Sequence, residues 1–312
     1  MKDLFRNMGP LGRLAFFLLF VGAGLLVASI VTSIVLLGTG GVKEAPAAGQ
    51  LIWVQGISQL LMFLCPALLF AWLFEGSATT FFQTGMRKWQ VLPALLAILL
   101  IIIAIPAIDF ITTWNESLHL PESLNSWEAS MRAKQEQSQE LMNSFLSLPG
   151  VGNMLLNLLM LAAIPAVCEE FVFRGVIQKT LVGWFRNPHV AIVVTAAVFS
   201  LTHFEMFYFV PRFVLGVVLG YTFYYSRTIW ASVLAHFTNN ALIVVLTYAH
   251  NAGLFSADPQ SLHLPCPAAF AIGSLILTTL MLILTVKIGK KSAKNAKFAN
   301  LQENDPTINK DI

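Results

Sequence analysis

Residues 150–175 read GVGNMLLNLLMLAAIPAVCEEFVFRG, an apolar run that ends in two adjacent glutamates and an arginine. The apolar part is long enough to cross the roughly 30 Å hydrocarbon core of a bilayer as a helix. Charged side chains are costly in that environment, and those that occur there are commonly functional. This stretch therefore predicts a membrane-spanning helix and marks Glu169, Glu170 and Arg174 as candidate functional residues.

The composition of the 312-residue chain also indicates a membrane protein. Charged residues make up 11% of the chain, hydrophobic residues make up 56%, and the mean hydropathy is +0.72. An ordinary globular protein has about 25% charged residues, so these few charges cannot cover a soluble surface. A soluble enzyme and a disordered protein are excluded. The net charge of +3 is too small for a nucleic-acid partner, and three scattered cysteines indicate neither a disulfide scaffold nor a zinc ribbon.

Seven further apolar runs accompany the first. None alternates as a barrel strand would, so the predicted fold class is all-α, a polytopic transmembrane helix bundle of about eight spans. The predicted spans lie near residues 11–37, 51–74, 91–113, 150–168, 189–204, 207–226, 229–249 and 267–287. The first run is far longer than the roughly 7–15 residues of a signal-peptide core, so we expect a retained span rather than a cleaved signal.

The distribution of positive charge predicts the orientation. Basic residues occur in every segment that is cytoplasmic if the N-terminus is inside, whereas the loop at 114–149 carries five glutamates against two basic residues. Both termini are therefore predicted to be cytoplasmic, with the lipid bilayer as the surrounding partner. Part of the acidic loop, near residues 124–145, is either an amphipathic helix on the membrane surface or a solvated connector.

These patterns divide the chain into four regions. The predicted regions are 1–149 with three spans and the acidic outer loop, 150–250 as the core, 251–288 with the last span, and 289–312 as a polar, disordered cytoplasmic tail.

Few titratable residues lie inside the predicted spans. They are Asp109, Glu169, Glu170, Arg174, His203, Glu205, Arg212 and His236. Asp109, Glu205 and Arg212 lie near the outer ends of their spans, where headgroups or each other neutralise them, and a structural role is favoured for these three. The remaining five are the candidates for chemistry.

Helical spacing separates the two glutamates. Glu170 and Arg174 are four residues apart, which predicts an ion pair on one face of the helix. Glu169 points about 100° away around the same helix, towards a different neighbour. We therefore expect Glu170 and Arg174 to support the site, and Glu169 to be the carboxylate available as a general base.

The position of a turn predicts that Glu169 and His203 lie at one depth. Asn187-Pro188 is a turn signal next to Arg186, and Glu169 and His203 are each 17 residues from Arg186. The two arms of a helical hairpin then bring these side chains together within the bilayer. Phe199 precedes His203 by one turn on the same helix face.

A third polar spot lies in the seventh predicted span. His236 and Asn240 are four residues apart on one face, and Asn239, three residues from His236, is the alternative to Asn240. Isolated polar residues also hold transmembrane helices together by hydrogen bonds. Because three predicted spans each contribute a polar position of this kind, a functional site is favoured over helix packing alone.

A carboxylate, two imidazoles and a carboxamide indicate hydrolysis by an activated water. The sequence has no H-E-x-x-H zinc helix and no G-x-S-x-G serine turn. Glu169-Glu170-x-x-x-Arg174, Phe199-x-x-x-His203 and His236-x-x-x-Asn240 together resemble the three ordered motifs of the CPBP intramembrane proteases, over about residues 150–250. That family includes type II CAAX prenyl endopeptidases and bacterial proteins linked to bacteriocin self-immunity.

The resemblance implies an endopeptidase that acts on a membrane-associated peptide or protein. Glu169 with His203 would activate the water, His236 and Asn240 would stabilise the oxyanion, and Glu170 and Arg174 would support the site. No cofactor is favoured. Zinc held by Glu169, His203 and His236 is the alternative; against it, we find no acidic residue placed to orient either histidine.

Two other classes of function stay open at the level of sequence. A non-catalytic membrane scaffold or immunity factor would keep these residues for helix packing alone. A proton-coupled transporter would use Glu169 and the histidines as a relay, although the related halves typical of transporters are not found.

Overall fold

The computed structural model describes residues 8–38, 48–85, 90–254 and 268–304, and the regular elements among them are all helices. In chain order they are α1 (Pro10–Gly38), α2 (Gly49–Glu75), α3 (Ala78–Phe82), α4 (Val91–Glu116), α5 (Asn125–Leu146), α6 (Val151–Phe185), α7 (Pro188–Leu201), α8 (Phe209–Ser226), α9 (Ile229–Asn251) and α10 (Ala268–Asn304). Short 3₁₀ turns at Glu122–Leu124 and Met206–Tyr208 precede α5 and α8. The predicted all-α fold is confirmed.

Seven of the described helices, α1, α2, α4, α6, α8, α9 and α10, are long and apolar enough to cross a membrane. The chain is an integral, multi-pass membrane protein. The span predicted at 189–204 corresponds to α7, which has 14 residues and is only about 21 Å long at 1.5 Å per residue. It is therefore shorter than the hydrocarbon core, so the described residues contain seven helices of membrane-spanning length where about eight spans were predicted.

Helix α6 extends beyond the apolar run at 150–168. It runs for 35 residues to Phe185 and so reaches the turn next to Arg186, as the helical-hairpin prediction required. The charged residues that follow Cys168 lower the local hydropathy of this second part of the helix. Those residues are buried against other helices, so the protein interior, rather than lipid, surrounds them.

Two prolines widen the helices that contain them. A π-helical segment at Leu60–Leu64 precedes Pro66 in α2, and another at Leu158–Ala163 precedes Pro165 in α6. Proline has no N–H to donate, and its ring crowds the carbonyl four residues earlier; a wider turn relieves that crowding. A further π-helical segment in α6, Phe171–Gln178, begins directly after Glu170.

The predicted turn between α6 and α7 is confirmed. Arg186 ends α6 in the left-handed conformation, with a φ of 51°. The Asn187 side chain then accepts hydrogen bonds from the N–H groups of His189 and Val190, and Pro188 occupies the first turn of α7. This sharp reversal packs α7 against the second half of α6.

Phenylalanines build the main core around α6. The buried cluster joins α1 and α2 to α6, α7, α8 and α9; its aromatic members are Phe17, Phe70, Phe74, Phe82, Phe171, Phe173, Phe199 and Phe223. On the other side of the bundle, α4 packs against α8 and α9 through alanine, leucine and valine side chains. The N-terminal spans thus enclose the 150–250 region from two sides.

The last helix is attached to α4 at a proline. Pro106 interrupts the hydrogen bonds of α4. Ser274 of α10 donates to the carbonyl of Ile103 at 2.5 Å and accepts from the N–H of Ala107 at 3.2 Å. Helix α10 continues to Asn304, so the stretch predicted to be disordered from residue 289 is helical up to that point; residues 305–312 lie outside the described residues.

Two glycines bring α8 into close contact with its neighbours. A Cβ at Gly216 would lie 3.0–3.1 Å from Cβ and Cα of Ala196 in α7, and a Cβ at Gly220 would lie 2.8 Å from Ile192. Their exposed carbonyls are used by α6, since Arg174 donates to Gly216 O at 3.1 Å and Gln178 donates to Gly220 O at 3.0 Å. The Gly216-x-x-x-Gly220 spacing thus fixes α8 against both arms of the hairpin.

The acidic loop folds around one glutamate. Glu128 in α5 accepts from the N–H of Leu120 at 2.7 Å, from Arg132 Nε at 2.8 Å and from His119 Nδ1 at 3.0 Å. The Leu120 N–H and the Arg132 guanidinium lower the pKa of Glu128 from 4.5 to about 2. Arg132 also lies 3.9 Å from the centre of the Phe207 ring, which ties the loop to the turn before α8.

We expect Gly216→Ala to destabilise the bundle. The added Cβ contacts the backbone of Ala196, and overpacking of this kind costs about 1–3 kcal/mol. Gly22→Ala in α1 is the matched control, because no atom lies within 4 Å of its added Cβ and alanine favours a helix by about 1 kcal/mol over glycine. Unfolding in detergent should rank Gly216→Ala below the wild type and Gly22→Ala at or above it; equal stabilities would contradict the close contact.

We expect Glu128 to stabilise the loop at neutral pH and to lose this effect in acid. Its pKa is lower in the folded protein than its ordinary value, so the stabilisation is complete above pH 4.5 and is lost as the pH falls towards 2. Amide exchange of α5 in the wild type and in Glu128→Gln should differ at pH 6 and converge near pH 2. Glu136→Gln, an exposed change on the same helix, is the control, and a difference that does not vary with pH would refute the assignment.

Candidate active site

A fully buried ion pair lies at the centre of the bundle. Glu170 Oε1 accepts from Arg174 Nη1 at 2.6 Å, and both side chains have 0% exposure. This contact confirms the pair predicted from the spacing of four. Arg174 Nη2 also donates to the carbonyl of Gly216, so the pair joins α6 to α8. Hydrogen bonds to both charges are what make burial of such a pair tolerable.

His236 lies between the two glutamates. Its Nδ1 is 2.9 Å from Glu170 Oε1, and its Nε2 is 3.8 Å from Glu169 Oε2. Both carboxylates approach the same imidazole from opposite edges, and Glu169 also interacts with His203. The statement that no acid is placed to orient a histidine was wrong. Glu170 does so for His236, and a carboxylate acceptor places the proton on Nδ1.

The two glutamates differ in accessibility. Glu170 is 0% exposed and Glu169 is 8% exposed. Glu170 also has both Arg174 and His236 as close partners, whereas the contact between Glu169 and His236 is longer than a direct hydrogen bond. Glu169 is therefore the carboxylate with room to bind a further group.

Phe199 of α7 connects the parts of the site. Its ring lies edge-on to His203 and His236, with centroids 5.0 and 5.9 Å apart, and 5.0 Å from Phe173. The Arg174 guanidinium carbon is 4.8 Å from the Phe199 ring centre. Such aromatic and cation–π contacts fix the angle of a ring as well as its distance. Phe199 thus holds both histidines and the arginine in one orientation.

His203 lies in the turn that follows α7, and not inside a span as predicted. Its Nδ1 is 2.8 Å from the carbonyl of Phe199; a carbonyl only accepts, so Nδ1 carries the proton and Nε2 keeps its lone pair in the neutral ring. His203 interacts electrostatically with Glu169 and with His236. The hairpin therefore brings Glu169 and His203 together, as the equal arms predicted.

Asn240 lies one turn beyond His236 on α9. Its Nδ2 is 3.5 Å from the carbonyl of Leu161, and its Oδ1 accepts from Asn239 Nδ2 at 3.1 Å. Pro165 has no N–H to offer the Leu161 carbonyl, which explains why a side-chain amide approaches it. The contact is long, so the Asn240 amide is only weakly engaged there. Asn239, the alternative from the sequence, contacts Asn240.

Glu205 and Arg212 form an ion pair, as their positions near one end of the bundle predicted. Arg212 also interacts electrostatically with His203 and lies 5.4 Å from the ring centre of Tyr208. This pair is therefore next to the site, although only a structural role was predicted for it.

The donor types at this site, a carboxylate and two imidazoles, are those that bind zinc in catalytic sites. Glu169, His203 and His236 are a carboxylate and two imidazoles, and both Nδ1 atoms are held by acceptors, which leaves the Nε2 atoms available. Across the described residues, however, no three His, Cys, Asp or Glu side chains lie in a metal-ligand arrangement.

Sequence reasoning missed the residues that hold α8 in place. Gly216 and Gly220 supply the carbonyls that accept from Arg174 and Gln178. The signal was present as a G-x-x-x-G spacing within an apolar segment, which is typical of close helix contacts in membranes.

A comparison with protein families matches residues 151–242 to the family model described as type II CAAX prenyl endopeptidase Rce1-like. The matched segment begins at the start of α6 and ends in α9 just after Asn240, so it contains every residue of the site. The chain matches neither a curated protein nor a solved structure.

We expect Arg174→Met to destabilise the protein by about 3–5 kcal/mol, because it leaves the Glu170 carboxylate buried without its cation. Arg13→Met is the matched control. Its partner Glu75 is 35% exposed and Arg13 is 26% exposed, and a pair of that kind contributes about 0–1 kcal/mol. Equilibrium unfolding in detergent measures both losses. Similar small losses would mean that the Glu170–Arg174 pair does not hold the bundle together.

Proposed function

Because the chain belongs, over residues 151–242, to the CPBP family of intramembrane proteases, we propose that it cleaves a peptide bond of a membrane-associated protein by a glutamate-activated water. The family makes the chain an intramembrane endopeptidase of the CAAX-protease-like type. The observation that carries the proposed mechanism is the arrangement of His236 between Glu169 and Glu170, with His203 close by.

Glu169 is the proposed general base. It is the more accessible of the two carboxylates, at 8% exposure, and its Oε2 lies 3.8 Å from Nε2 of His236. A water that donates one proton to Glu169 would be polarised for attack on a peptide carbonyl. His203 assists from the other side, since its Nε2 lone pair accepts the second proton of the same water.

His236 and Asn240 are the proposed oxyanion donors. A His236 ring that carries both protons donates from Nδ1 to Glu170 and has its Nε2–H free for the developing negative charge. The Asn240 amide is one turn along the same helix and is bound only weakly to Leu161. Its N–H₂ can therefore turn to a substrate oxygen at little cost.

Glu170, Arg174 and Phe199 position the groups that react. Glu170 fixes the ring of His236 through Nδ1, Arg174 neutralises Glu170, and Phe199 packs against both histidine rings. A preorganised site of this kind has its donors in place before charge develops, which is the main source of electrostatic catalysis.

The mechanism that we propose uses no metal ion. Glu170 already engages the Nδ1 edge of His236, and the long Glu169–His236 separation of 3.8 Å is suited to an oxygen of water or substrate that approaches from the side. The proposed substrate is a peptide held at the bilayer, because the site lies among membrane-spanning helices.

We expect Glu169→Gln to lower cleavage by at least about 100-fold, the usual contribution of a general base, while the protein stays folded. The measurement is cleavage of membrane-anchored peptides by the purified protein in vesicles, with prenylated and unprenylated versions compared. Glu136→Gln on α5 is the control and should cleave like the wild type. A chelator should leave the rate unchanged.

Each contrary outcome removes a specific part of the proposal. Equal cleavage by wild type and Glu169→Gln would remove Glu169 from the mechanism. Cleavage that a chelator stops and zinc restores would replace the metal-free mechanism. Absence of cleavage together with unchanged biological function in the Glu169→Gln and His203→Ala variants would favour a scaffold, and uptake driven by a pH gradient would favour a transporter.

A further inference from the structure

A cavity of about 630 Å³ lies at the end of the bundle opposite His203, where α6 ends, α7 begins and α8 turns into α9. Its described lining residues include Gln178, Lys179, His189, Arg227 and Lys290. The residues of the candidate active site are not among those that line it. The cavity is therefore a separate feature of the molecule.

Positive charge collects at this cavity from three distant parts of the chain. Lys179 comes from α6, Arg227 from the turn between α8 and α9, and Lys290 from α10, and the described lining contains no acidic residue. Arg227 and Lys290 are exposed. The acid that interacts with Lys179 is Glu75, which is paired with Arg13 at 2.7 Å and is not part of the lining.

The hydrogen-bonding groups of the cavity suit a phosphate ester. Lys179 donates to the carbonyl of Phe81, and its ammonium has two further N–H groups. His189 Nδ1 is 2.7 Å from the hydroxyl of Tyr221. The cavity thus offers cations for an anion.

The packing of α10 forms one wall of the cavity. A Cβ at Gly289 would overlap the backbone carbonyl of Tyr225 at the end of α8, so α10 can approach this closely only because residue 289 is glycine. The neighbouring Lys290 is thereby held at the cavity. Tyr224 and Tyr225 also line the cavity, and tyrosine rings favour the membrane–water boundary.

We propose that this cavity binds a phosphate group carried by an anionic membrane phospholipid. Basic pockets between the ends of transmembrane helices suit such headgroups, and each lysine or arginine near the surface contributes about 1 kcal/mol to the attraction. The positive charges of the cavity lie at the end of the bundle that the charge distribution predicts to be cytoplasmic. The proposal does not depend on the proteolytic mechanism.

The test compares two double variants of the full chain with the same loss of charge. Arg227→Gln with Lys290→Gln removes two cations from the cavity. Arg186→Gln with Lys291→Gln is the matched control, because both of its residues are exposed at the same end and neither lines the cavity. Binding of fluorescently labelled phosphatidylglycerol, and of labelled phosphatidylcholine for comparison, to the detergent-solubilised protein is measured by fluorescence, and thermal unfolding without added lipid verifies that each variant is folded.

The expected result is binding of phosphatidylglycerol by the wild type and the control. Binding to the cavity variant should be about 30-fold weaker, which corresponds to about fivefold for each of two cations. Equal weakening in both variants, or equal binding of pure phosphatidylcholine, would overturn the proposal. Competition by millimolar inorganic phosphate would support the phosphate site and assign it to free phosphate instead of lipid.

Discussion

The buried pair of Glu170 and Arg174 is the constraint on which the rest of the bundle depends. Two charges at 0% exposure are tolerable only if each has further polar partners, because desolvation alone costs several kcal/mol per ion. Arg174 obtains its second partner from the Gly216 carbonyl on α8, and Glu170 obtains its second partner from His236 on α9. Satisfying one ion pair therefore fixes three helices relative to one another.

Two glycines in α8 allow Arg174 to reach its second hydrogen-bond partner. A helix carbonyl that already accepts within its own helix can be reached from outside only where the neighbouring backbone comes very close. Gly216 and Gly220 allow that approach, and Arg174 and Gln178 use the two carbonyls in parallel. The same contact presses α7 against α8 and so sets the position of Phe199. Small residues therefore determine the geometry of a site to which they contribute no chemistry.

What could be predicted from the sequence follows from local spacing. The Glu170–Arg174 pair and the Phe199–His203 contact are both i, i+4 relations within a helix or at its end, and the Asn187-Pro188 turn follows from its capping chemistry. The position of Glu170 against His236 could not be predicted, because the rotation of α6 relative to α9 is set by packing between helices and not by the period of either. The continuation of α6 beyond residue 168 was predicted by the turn next to Arg186 and not by hydropathy, because hydropathy measures suitability for lipid and this half of the helix is surrounded by protein.

The two adjacent glutamates have different roles because of their positions and not because of their residue type. Both face the same imidazole, but Glu170 is enclosed by Arg174 and His236, while Glu169 is at the margin of the same cluster with part of its surface accessible. Oε1 of Glu170 is held by both Arg174 and His236, so this carboxylate stabilises its neighbours. Glu169, which has an accessible side, can accept a proton from a bound water. The low charge content of the chain strengthens this difference, because among buried groups the field at Glu169 comes mainly from the few charges placed beside it.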